Sequence, residues 1–292
     1  MHRRVACPAE SVFFSWSVFP EAYHSSRNCR NGASIAQAIG HSSAAARHFR
    51  AANRRVVSAT IRQYSRNPPM NILAFDTSTE HCSAALWRSG SLFERAVHAG
   101  QVHSEILIGM VDAVLAEGGV PLARLDGIAY GQGPGSFTGL RIACAVAQGL
   151  AFPAAIPLVG IGTLQAMALS CGAARVVCCL DARMKEIYHA AYVREGDTYV
   201  EMSAPRVCAP ADAPVLPGEG WTGCGSGFAV HRDVLRQCYG TSLTAIAEGV
   251  YPRARNIVRL AVPLFAAGQG VSAEDAVPLY IRDKVALKTA ER

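Results

Sequence analysis

The acidic turn after the first apolar run of this sequence carries residue types suited to chemistry. Asp76, Thr77 and Ser78 come directly after the apolar residues 72–75. One carboxylate and two hydroxyls in such a turn could meet a phosphate-bound Mg²⁺ ion. The same residue types are typical of an Asx or Ser/Thr turn that closes a hairpin. For these three residues alone, the turn is the favoured interpretation.

A second acidic turn follows a later apolar run. Asp181, Arg183 and Glu186 come after residues 176–180. An ion pair between two lobes explains these charges as well as a binding role does. His103 begins a helical pattern, and residue 107, one turn further on, is leucine where a metal site would use a second histidine. We therefore interpret His103 as a capping or solvated residue.

The glycine-rich run 131–141 (Gly-Gln-Gly-Pro-Gly-Ser-Phe-Thr-Gly-Leu-Arg) joins a predicted strand to a predicted helix. Its glycines allow close approach of the backbone, and Ser136 is placed as the N-cap. The N–H groups of a helix N-terminus suit a phosphate or carboxylate, with Gly135 and Ser136 as the candidate contacts. Glycine spacing alone favours the other interpretation, a tight turn that packs one lobe against another and binds nothing.

Three generic motifs are excluded for this loop. A P-loop needs a lysine, and none occurs between Met70 and Met184. A dinucleotide fingerprint needs an acid about twenty residues further on, and residues 127–180 contain none. A nucleophile elbow needs G-x-S-x-G, and Ser136 does not sit in that pattern.

Charge divides the chain into two unlike parts. The whole chain carries 28 Lys+Arg and 22 Asp+Glu. Residues 1–69 have ten arginines, no lysine and two acids, a net charge of 10 − 2 = +8. The remaining residues have 18 bases and 20 acids, a net charge of −2. This body lacks the basic footprint of a stand-alone nucleic-acid binder, so we expect a partner to supply any RNA-binding groove.

The first 69 residues form an appendage to the body that begins at Met70. Their arginine-rich, acid-poor composition is compatible with a transit peptide, and residues 12–19 faintly resemble the apolar region of a signal peptide. The favoured interpretation is a start codon assigned too early, or a disordered extension. The body has eight cysteines without a C-x-x-C pair and no uninterrupted apolar run of about 20 residues, so we expect a cytoplasmic protein without a membrane span.

Apolar periodicity predicts the elements that position these residues. Strands are predicted near residues 71–75, 82–87, 92–97, 126–130 and 157–161, with helices over 103–117, 137–151 and 164–170. A second series of three strands begins at residue 176 and is followed by helices near 230–238 and 254–267. Each half opens with three strands and an acidic turn. We predict two related α/β lobes, 70–172 and 173–292, with the last helix free to return to the first lobe.

Five strings occur in chain order: 71–79 (Asn-Ile-Leu-Ala-Phe-Asp-Thr-Ser-Thr), 103–105 (His-Ser-Glu), 133–141 (Gly-Pro-Gly-Ser-Phe-Thr-Gly-Leu-Arg), 181–188 (Asp-Ala-Arg-Met-Lys-Glu-Ile-Tyr) and 278–282 (Pro-Leu-Tyr-Ile-Arg). Together they resemble the TsaB family, which bacteria need to make threonylcarbamoyladenosine in tRNAs that read codons beginning with A. The resemblance implies an α/β fold of the actin, Hsp70 and sugar-kinase type, in which each of two lobes holds a mixed sheet with helices.

The resemblance also implies a non-catalytic subunit that binds and activates TsaD, the threonylcarbamoyl transferase, alongside the small ATPase TsaE. ATP and metal are then expected on the partner subunits and tRNA only through the complex. The apolar surface of the two helices after the first strands adds a homodimer as a further expected state. Two alternatives come from other classes. One is a small-molecule kinase that uses Asp76 and Asp181 around Mg²⁺-ATP, and the other is a peptidase, for which the body offers no identifiable nucleophile, base and orienting group.

The two helices after the first strands are the predicted partner surface. Apolar residues cover about 200° of the first helix, roughly twice the arc that its own lobe needs. The second helix is apolar almost all round and contains small residues that allow close approach. The predicted interface residues are Ile106, Met110, Val111, Leu115, Ile142, Val146 and Gly149.

Overall fold

The computed structural model describes residues 69–282. The expectations for the N-terminal appendage therefore lie outside the described residues, apart from Pro69. Within the described range the chain is a mixed α/β protein with two five-stranded sheets, and it has the predicted actin-like fold class.

The first sheet has the strand order β3-β2-β1-β4-β5. Its strands are β1 Asn71–Asp76, β2 His81–Arg88, β3 Ser91–His98, β4 Gly127–Gly133 and β5 Leu158–Gly162. β1, β2 and β3 pair antiparallel, and β1, β4 and β5 pair parallel. Alternate residues of β1 face opposite sides of the sheet, since Leu73 and Phe75 join one core and Ile72 and Ala74 join the other.

Four helices accompany this sheet. They are α1 His103–Gly118, α2 Phe137–Ala151, α3 Thr163–Cys171 and α6 Ala254–Ala266. α1 and α2 bury apolar side chains in the core on one face, and α6 covers the other. α1 ends where Gly119 takes a left-handed conformation, with φ of 62°. The last helix therefore packs on the first sheet although it follows the second one in sequence.

The second sheet repeats the strand order of the first. Its strands are β6 Arg175–Asp181, β7 Ile187–Glu195, β8 Thr198–Cys208, β9 Trp221–Cys224 and β10 Leu243–Ala247, in the order β10-β9-β6-β7-β8. The short helices α4 Ser226–Val230 and α5 Arg232–Tyr239 follow β9. Read from β8, the sheet has the same order and the same antiparallel and parallel pairings as the first.

The structure differs from the predicted elements at three places. No strand was predicted at β9, which lies in the Gly/Pro-rich passage 209–227, or at β10. The helix predicted over 230–238 is two short helices, separated at His231. β4 runs on to Gly133, so the first glycines of the glycine-rich run belong to a strand.

One described segment, Phe137–Ala154, has the length and composition of a membrane-crossing helix. Its helix α2 places Leu140, Ala143, Cys144 and Ala147 among the buried residues of the first lobe. A core helix satisfies the same test of length and composition, so this segment is weak evidence for a membrane span.

Candidate functional site

The Asp76 carboxyl group is buried at the end of β1, with none of its surface exposed. Its Oδ1 accepts hydrogen bonds from the Ser78 backbone N–H at 3.1 Å and from the Ser78 hydroxyl at 2.9 Å. Its Oδ2 has no hydrogen-bond partner among the described residues. Burial raises the pKa of Asp76 to about 7, and the bonds from Ser78 offset only part of that rise. A Cβ on Gly131 would lie 1.9 Å from Oδ2, so β4 closes over the carboxylate.

The glycine-rich loop packs directly on the Asp76 turn. A Cβ on Gly135 would lie 2.4 Å from the Ser78 carbonyl oxygen, and one on Gly139 would lie 1.9 Å from the Thr77 carbonyl oxygen. The Ser136 N–H donates to the Ser78 carbonyl at 2.7 Å, and the Thr77 hydroxyl donates to the Gly139 carbonyl at 2.6 Å. The loop and the turn therefore satisfy hydrogen-bonding groups of each other.

Ser136 is the N-cap of α2, as predicted, and its Oγ accepts the Gly139 N–H at 3.3 Å. Because the Ser136 N–H already donates to the Ser78 carbonyl, this N–H is not available to an incoming phosphate. His103 is buried, and its Nε2 lies 2.8 Å from the Thr79 carbonyl oxygen, which ties α1 to the same turn. Within residues 69–282, no group of three His, Cys, Asp or Glu side chains is placed to hold a metal ion.

Residues 276–282, which we call the strap, run back along the first lobe. The Cys144 thiol and the Gln148 amide donate to the Ala276 carbonyl at 3.4 and 3.0 Å. The Tyr130 hydroxyl and the Gln132 amide donate to the Val277 carbonyl at 3.1 and 2.9 Å. The strap is neither helix nor strand, so periodicity did not reveal it, and only the resemblance of 278–282 marked its end.

The far end of the strap holds the turn between β6 and β7. Arg282 donates from Nη1 to the Ala182 carbonyl at 2.8 Å, and its Nη2 pairs with the Glu186 carboxylate. The Asp181 Oδ1 accepts the Arg183 N–H at 3.0 Å within the turn. Glu186 thus joins the strap and the hairpin. Within residues 69–282, no hydrogen bond or ion pair joins Asp76 to Asp181.

Arg141 lies between two aromatic rings where α2 meets the strap. Its guanidinium carbon is 3.8 Å from the centre of the Phe137 ring and 6.0 Å from that of Tyr280. Its Nε donates to the Tyr280 hydroxyl at 2.9 Å. Sequence reasoning had not selected Phe137, Arg141 or Tyr280 individually, although all three belong to strings that carry the family resemblance.

The predicted partner surface needs a correction on α1. Val111 and Leu115 are buried in the core of the first lobe, with 1% and 9% of their surfaces exposed, and Met110 is buried to the same extent as Leu115. Buried positions take up an arc of about 140° on α1 at 100° per residue, wider than the sequence estimate allowed for its own lobe. These three residues are therefore not available at the outer surface.

The remaining interface residues keep some exposure. Ile106, Ile142 and Val146 are half-buried against the core, and Gly149 is exposed. On α2 the outward stripe consists of Arg141, Ala145, Gly149 and, one residue past the helix, Phe152, which is 65% exposed. A Cβ on Gly149 would have no neighbour within 4 Å. A shallow groove of about 380 Å³ lies at the end of this stripe, lined by Gln148, Gly149, Phe152, Pro153, Ala273 and Glu274.

Comparison with known proteins identifies the family. The family model of TsaD, described as tRNA N6-adenosine threonylcarbamoyltransferase, matches residues 97–289. The Escherichia coli strain K12 protein named tRNA threonylcarbamoyladenosine biosynthesis protein TsaB is 37% identical over 229 residues, which cover 75% of this chain and 97% of that protein. The chain belongs to the TsaB family. It therefore takes part in the biosynthesis of threonylcarbamoyladenosine in tRNA.

A second TsaB and two solved structures agree with this assignment. The Haemophilus influenzae protein of the same name is 34% identical and shares 75% of this chain and 96% of its own length. YeaZ from Pseudomonas aeruginosa superimposes with a TM-score of 0.66 at 34% identity, covering 72% of this chain and 99% of that one. A further Pseudomonas aeruginosa structure, described as having similarity to peptidase YEAZ, gives a TM-score of 0.68 at 34% identity and covers 73% of this chain and 100% of its own.

Proposed function

We propose that this TsaB-family chain is a non-catalytic subunit that binds a TsaD-type transferase and makes it competent for threonylcarbamoyl transfer. The observation that carries the proposal is the exposed stripe of α2. Ala145 and Gly149 are small and exposed, and Ile142 and Val146 flank them on the side away from the strap. Small residues on a helix face allow the backbone of a second helix to approach closely, and the apolar flanks would be buried by that contact.

The match to the TsaD family model supports a TsaD-type subunit as the occupant of this face. The matched residues 97–289 include both α1 and α2, so a TsaD subunit is expected to carry counterparts of the same two helices. Two homologous chains can then pair through equivalent faces, much as identical chains do in a two-fold dimer. The same reasoning applies to two copies of this chain, and self-association is the competing state.

The Asp76 region supports a role without chemistry of its own. Oδ2 is closed over by Gly131, and the Ser136 N–H donates to Ser78 in place of a ligand. We therefore place ATP and metal on the partner subunits, TsaD and the ATPase TsaE, with tRNA bound by the assembled complex in the cytoplasm. Tight binding of Mg²⁺-ATP by the isolated chain would contradict this assignment and favour the kinase alternative.

The test is a pull-down of the TsaD subunit from the same organism with Ala145→Glu and Ile142→Glu. A glutamate in the contact would bury an unpaired charge, and we expect affinity to fall at least about tenfold. Ala266→Glu, at an exposed alanine of α6 on the opposite face of the first sheet, is the matched control. Circular dichroism checks folding. If both interface variants fold and retain the TsaD subunit as the parent does, the contact lies elsewhere.

A further inference from the structure

The surface where α2, the strap and the β6–β7 turn meet gathers cationic and aromatic side chains. We call Phe137, Arg141, Arg183, Lys185 and Tyr280 the strap patch. Arg141, Arg183 and Lys185 are exposed, and Tyr280 is 45% exposed. The patch is continuous, because Arg141 bonds to Tyr280 and Arg282, two residues further along the strap, holds the turn that carries Arg183 and Lys185.

The turn holds its side chains in a costly backbone conformation. Arg183, Met184 and Lys185 are three consecutive residues with positive φ, at 61°, 54° and 59°. The left-handed region is unfavourable for any residue with a Cβ, and glycine would relieve the strain at each position. The Ala182 N–H donates to the Glu186 carbonyl, and Arg282 bonds to both residues, which keeps the turn in place. Strain of this kind in an exposed turn points to a role for the side chains that it presents.

Arg141 is also held in one orientation. Its guanidinium carbon lies 3.8 Å from the centre of the Phe137 ring, and its Nε donates to the Tyr280 hydroxyl at 2.9 Å. An arginine ordered by a ring has less conformational freedom to lose when it binds an anion. Tyr280 meanwhile is 45% exposed.

Charge distinguishes this patch from the rest of the body. Residues 70–292 carry a net charge of 18 − 20 = −2. The charged residues of the patch and of the β6–β7 turn, together with Arg282, are four cations, Arg141, Arg183, Lys185 and Arg282, and two carboxylates, Asp181 and Glu186, a net charge of 4 − 2 = +2. Asp181 pairs with Arg183 at 3.4 Å and Glu186 pairs with Arg282, which leaves Arg141 and Lys185 as the net excess of cations. A local excess of cations beside an exposed aromatic ring is typical of surfaces that bind unpaired nucleotides.

We propose that the strap patch contacts a single-stranded segment of the tRNA substrate in the assembled complex. Arg141, Arg183 and Lys185 bind backbone phosphates, and Tyr280 stacks on a base. This inference rests on the proposed function, since it needs the partner subunit to supply the main RNA-binding surface. Two or three phosphate contacts are too few for the isolated chain to hold tRNA by itself, in keeping with its acidic body.

The experiment measures tRNA affinity of the complex between this chain and the TsaD subunit. The probe is an unmodified transcript of a tRNA that reads codons beginning with A, followed by fluorescence anisotropy over a range of salt concentrations. For the double variant Arg183→Glu, Lys185→Glu we expect at least about tenfold weaker binding and a log–log salt slope smaller by about 1.4, since each single-strand phosphate contact contributes about 0.7. Tyr280→Ala should weaken binding with an unchanged slope, because stacking releases no counterions.

The control is the double variant Arg124→Glu, Arg236→Glu, which makes the same change in net charge at two exposed arginines outside the patch. The inference is wrong if the patch variants bind tRNA as the parent does while the control is also unaffected. It is equally overturned if they lose the TsaD subunit instead of tRNA, because the patch would then be a protein contact. Failure of the proposed function is distinguishable, since in that case the parent chain does not form the complex.

Discussion

Asp76 is a carboxyl group whose folded and unfolded states titrate in different ranges. Burial raises its pKa from 3.8 to about 7 in the folded protein. Between those values the unfolded chain ionises and the folded chain does not, so ionisation of this group favours unfolding. Its contribution to stability is fully present below pH 3.8 and is lost as the pH rises through 7. Replacing this carboxyl by a group that cannot ionise should therefore stabilise the fold at neutral pH.

The Asp76→Asn variant should therefore become more stable relative to the parent protein as the pH rises. Asparagine keeps an acceptor for Ser78 but cannot ionise, and from pH 5 to 7.5 the difference in unfolding free energy should move in its favour by about 2.5 kcal/mol. Urea denaturation across that range measures the difference. His189 gives the parent a pH dependence of the opposite sign. Burial lowers the pKa of His189 to about 4, so its contribution to stability is lost as the pH falls from 6.5 towards that value. Comparing variant with parent removes this shared term. A difference that is flat with pH would show that Asp76 ionises in the folded state.

Gly139 and Gly149 lie on the same helix in opposite environments and make a matched pair. Gly139→Ala brings a Cβ within 1.9 Å of the Thr77 carbonyl oxygen, and we expect a loss of about 1–3 kcal/mol as the loop is pushed from the turn. Gly149→Ala meets nothing within 4 Å, and better helix propensity should stabilise it by about 0.5–1 kcal/mol. Thermal and urea unfolding measure both. Equal effects of the two substitutions would show that the close approach at Gly139 does not constrain the loop.

At the scale of elements, the sequence predicted most helices and strands because their apolar spacing is regular. β1, α1 and α2 begin at the predicted residues. β9 and β10 were missed for a physical reason. Each is only four or five residues long, and each is a strand because of a parallel neighbour, β6 for β9 and β9 for β10, that lies far away in the sequence. Such strands have no periodicity of their own to detect.

The candidate site was predictable to a smaller extent. The N-cap role of Ser136 followed from local rules, and the structure confirms it. The predicted outward face of α1 was wrong at Met110, Val111 and Leu115, because the apolar pattern of a helix does not show how much of its circumference the lobe buries. The strap could not be found from spacing, since its hydrogen bonds go to residues far away in the sequence, such as Gln132 and Tyr130.

The start of α6 depends on a carboxylate from another element. The Glu94 side chain on β3 is 5% exposed, receives two hydrogen bonds from Arg253 at 2.7 and 3.2 Å, and also pairs with Arg255. It also accepts a hydrogen bond from the Arg255 backbone N–H at 3.3 Å, so Glu94 caps the start of α6 although it lies on a different element, β3. The helix that covers the far face of the first sheet is therefore fixed by an edge strand.

Glu94→Gln should destabilise the protein by about 2 kcal/mol, because charge-assisted bonds to two guanidinium groups are lost while both arginines stay in place. The control is Glu117→Gln, which removes the partner of Arg95 from an ion pair whose side chains are 43% and 48% exposed. An exposed pair of that kind contributes roughly 0–1 kcal/mol. Chemical denaturation of the two variants gives the comparison, and similar losses would mean that Glu94 does not act as the cap.

At the scale of the molecule, the two lobes have the same topology, but no single point in the sequence separates them. α3 contributes Ala166 to the core beneath α6 and Leu164 and Met167 to the core of the second lobe. α6 and the strap then return from the second lobe to the first. Three packed elements, α3, α6 and the strap, therefore connect the two lobes. These connections favour a fixed position of the α2 stripe relative to the strap patch.

The strap is where that relation can be tested. Arg282→Ala removes the bonds to Ala182 and Glu186 and leaves the turn between β6 and β7 with its backbone bonds and the contacts between Asp181 and Arg183. Loss of a charged hydrogen bond is worth about 1.5 kcal/mol or more, so local opening of the turn should become at least about tenfold more frequent. Hydrogen–deuterium exchange at the Ala182 and Glu186 amides measures this. Arg194→Ala, which removes an arginine bonded within the neighbouring β7–β8 hairpin, is the control.

Exchange at the Leu279 amide shows whether the strap stays attached to the first lobe in the Arg282→Ala variant. Its N–H donates to the Gln132 carbonyl at 2.8 Å, and the neighbouring carbonyls accept from Tyr130, Cys144 and Gln148. Because these bonds do not involve Arg282, exchange at Leu279 should stay at the rate of the parent while the turn opens. Faster exchange at Leu279 as well would mean that the strap detaches as one unit. In that case the conformation of the turn would depend on the attachment of the whole strap to the first lobe, and not on Arg282 alone.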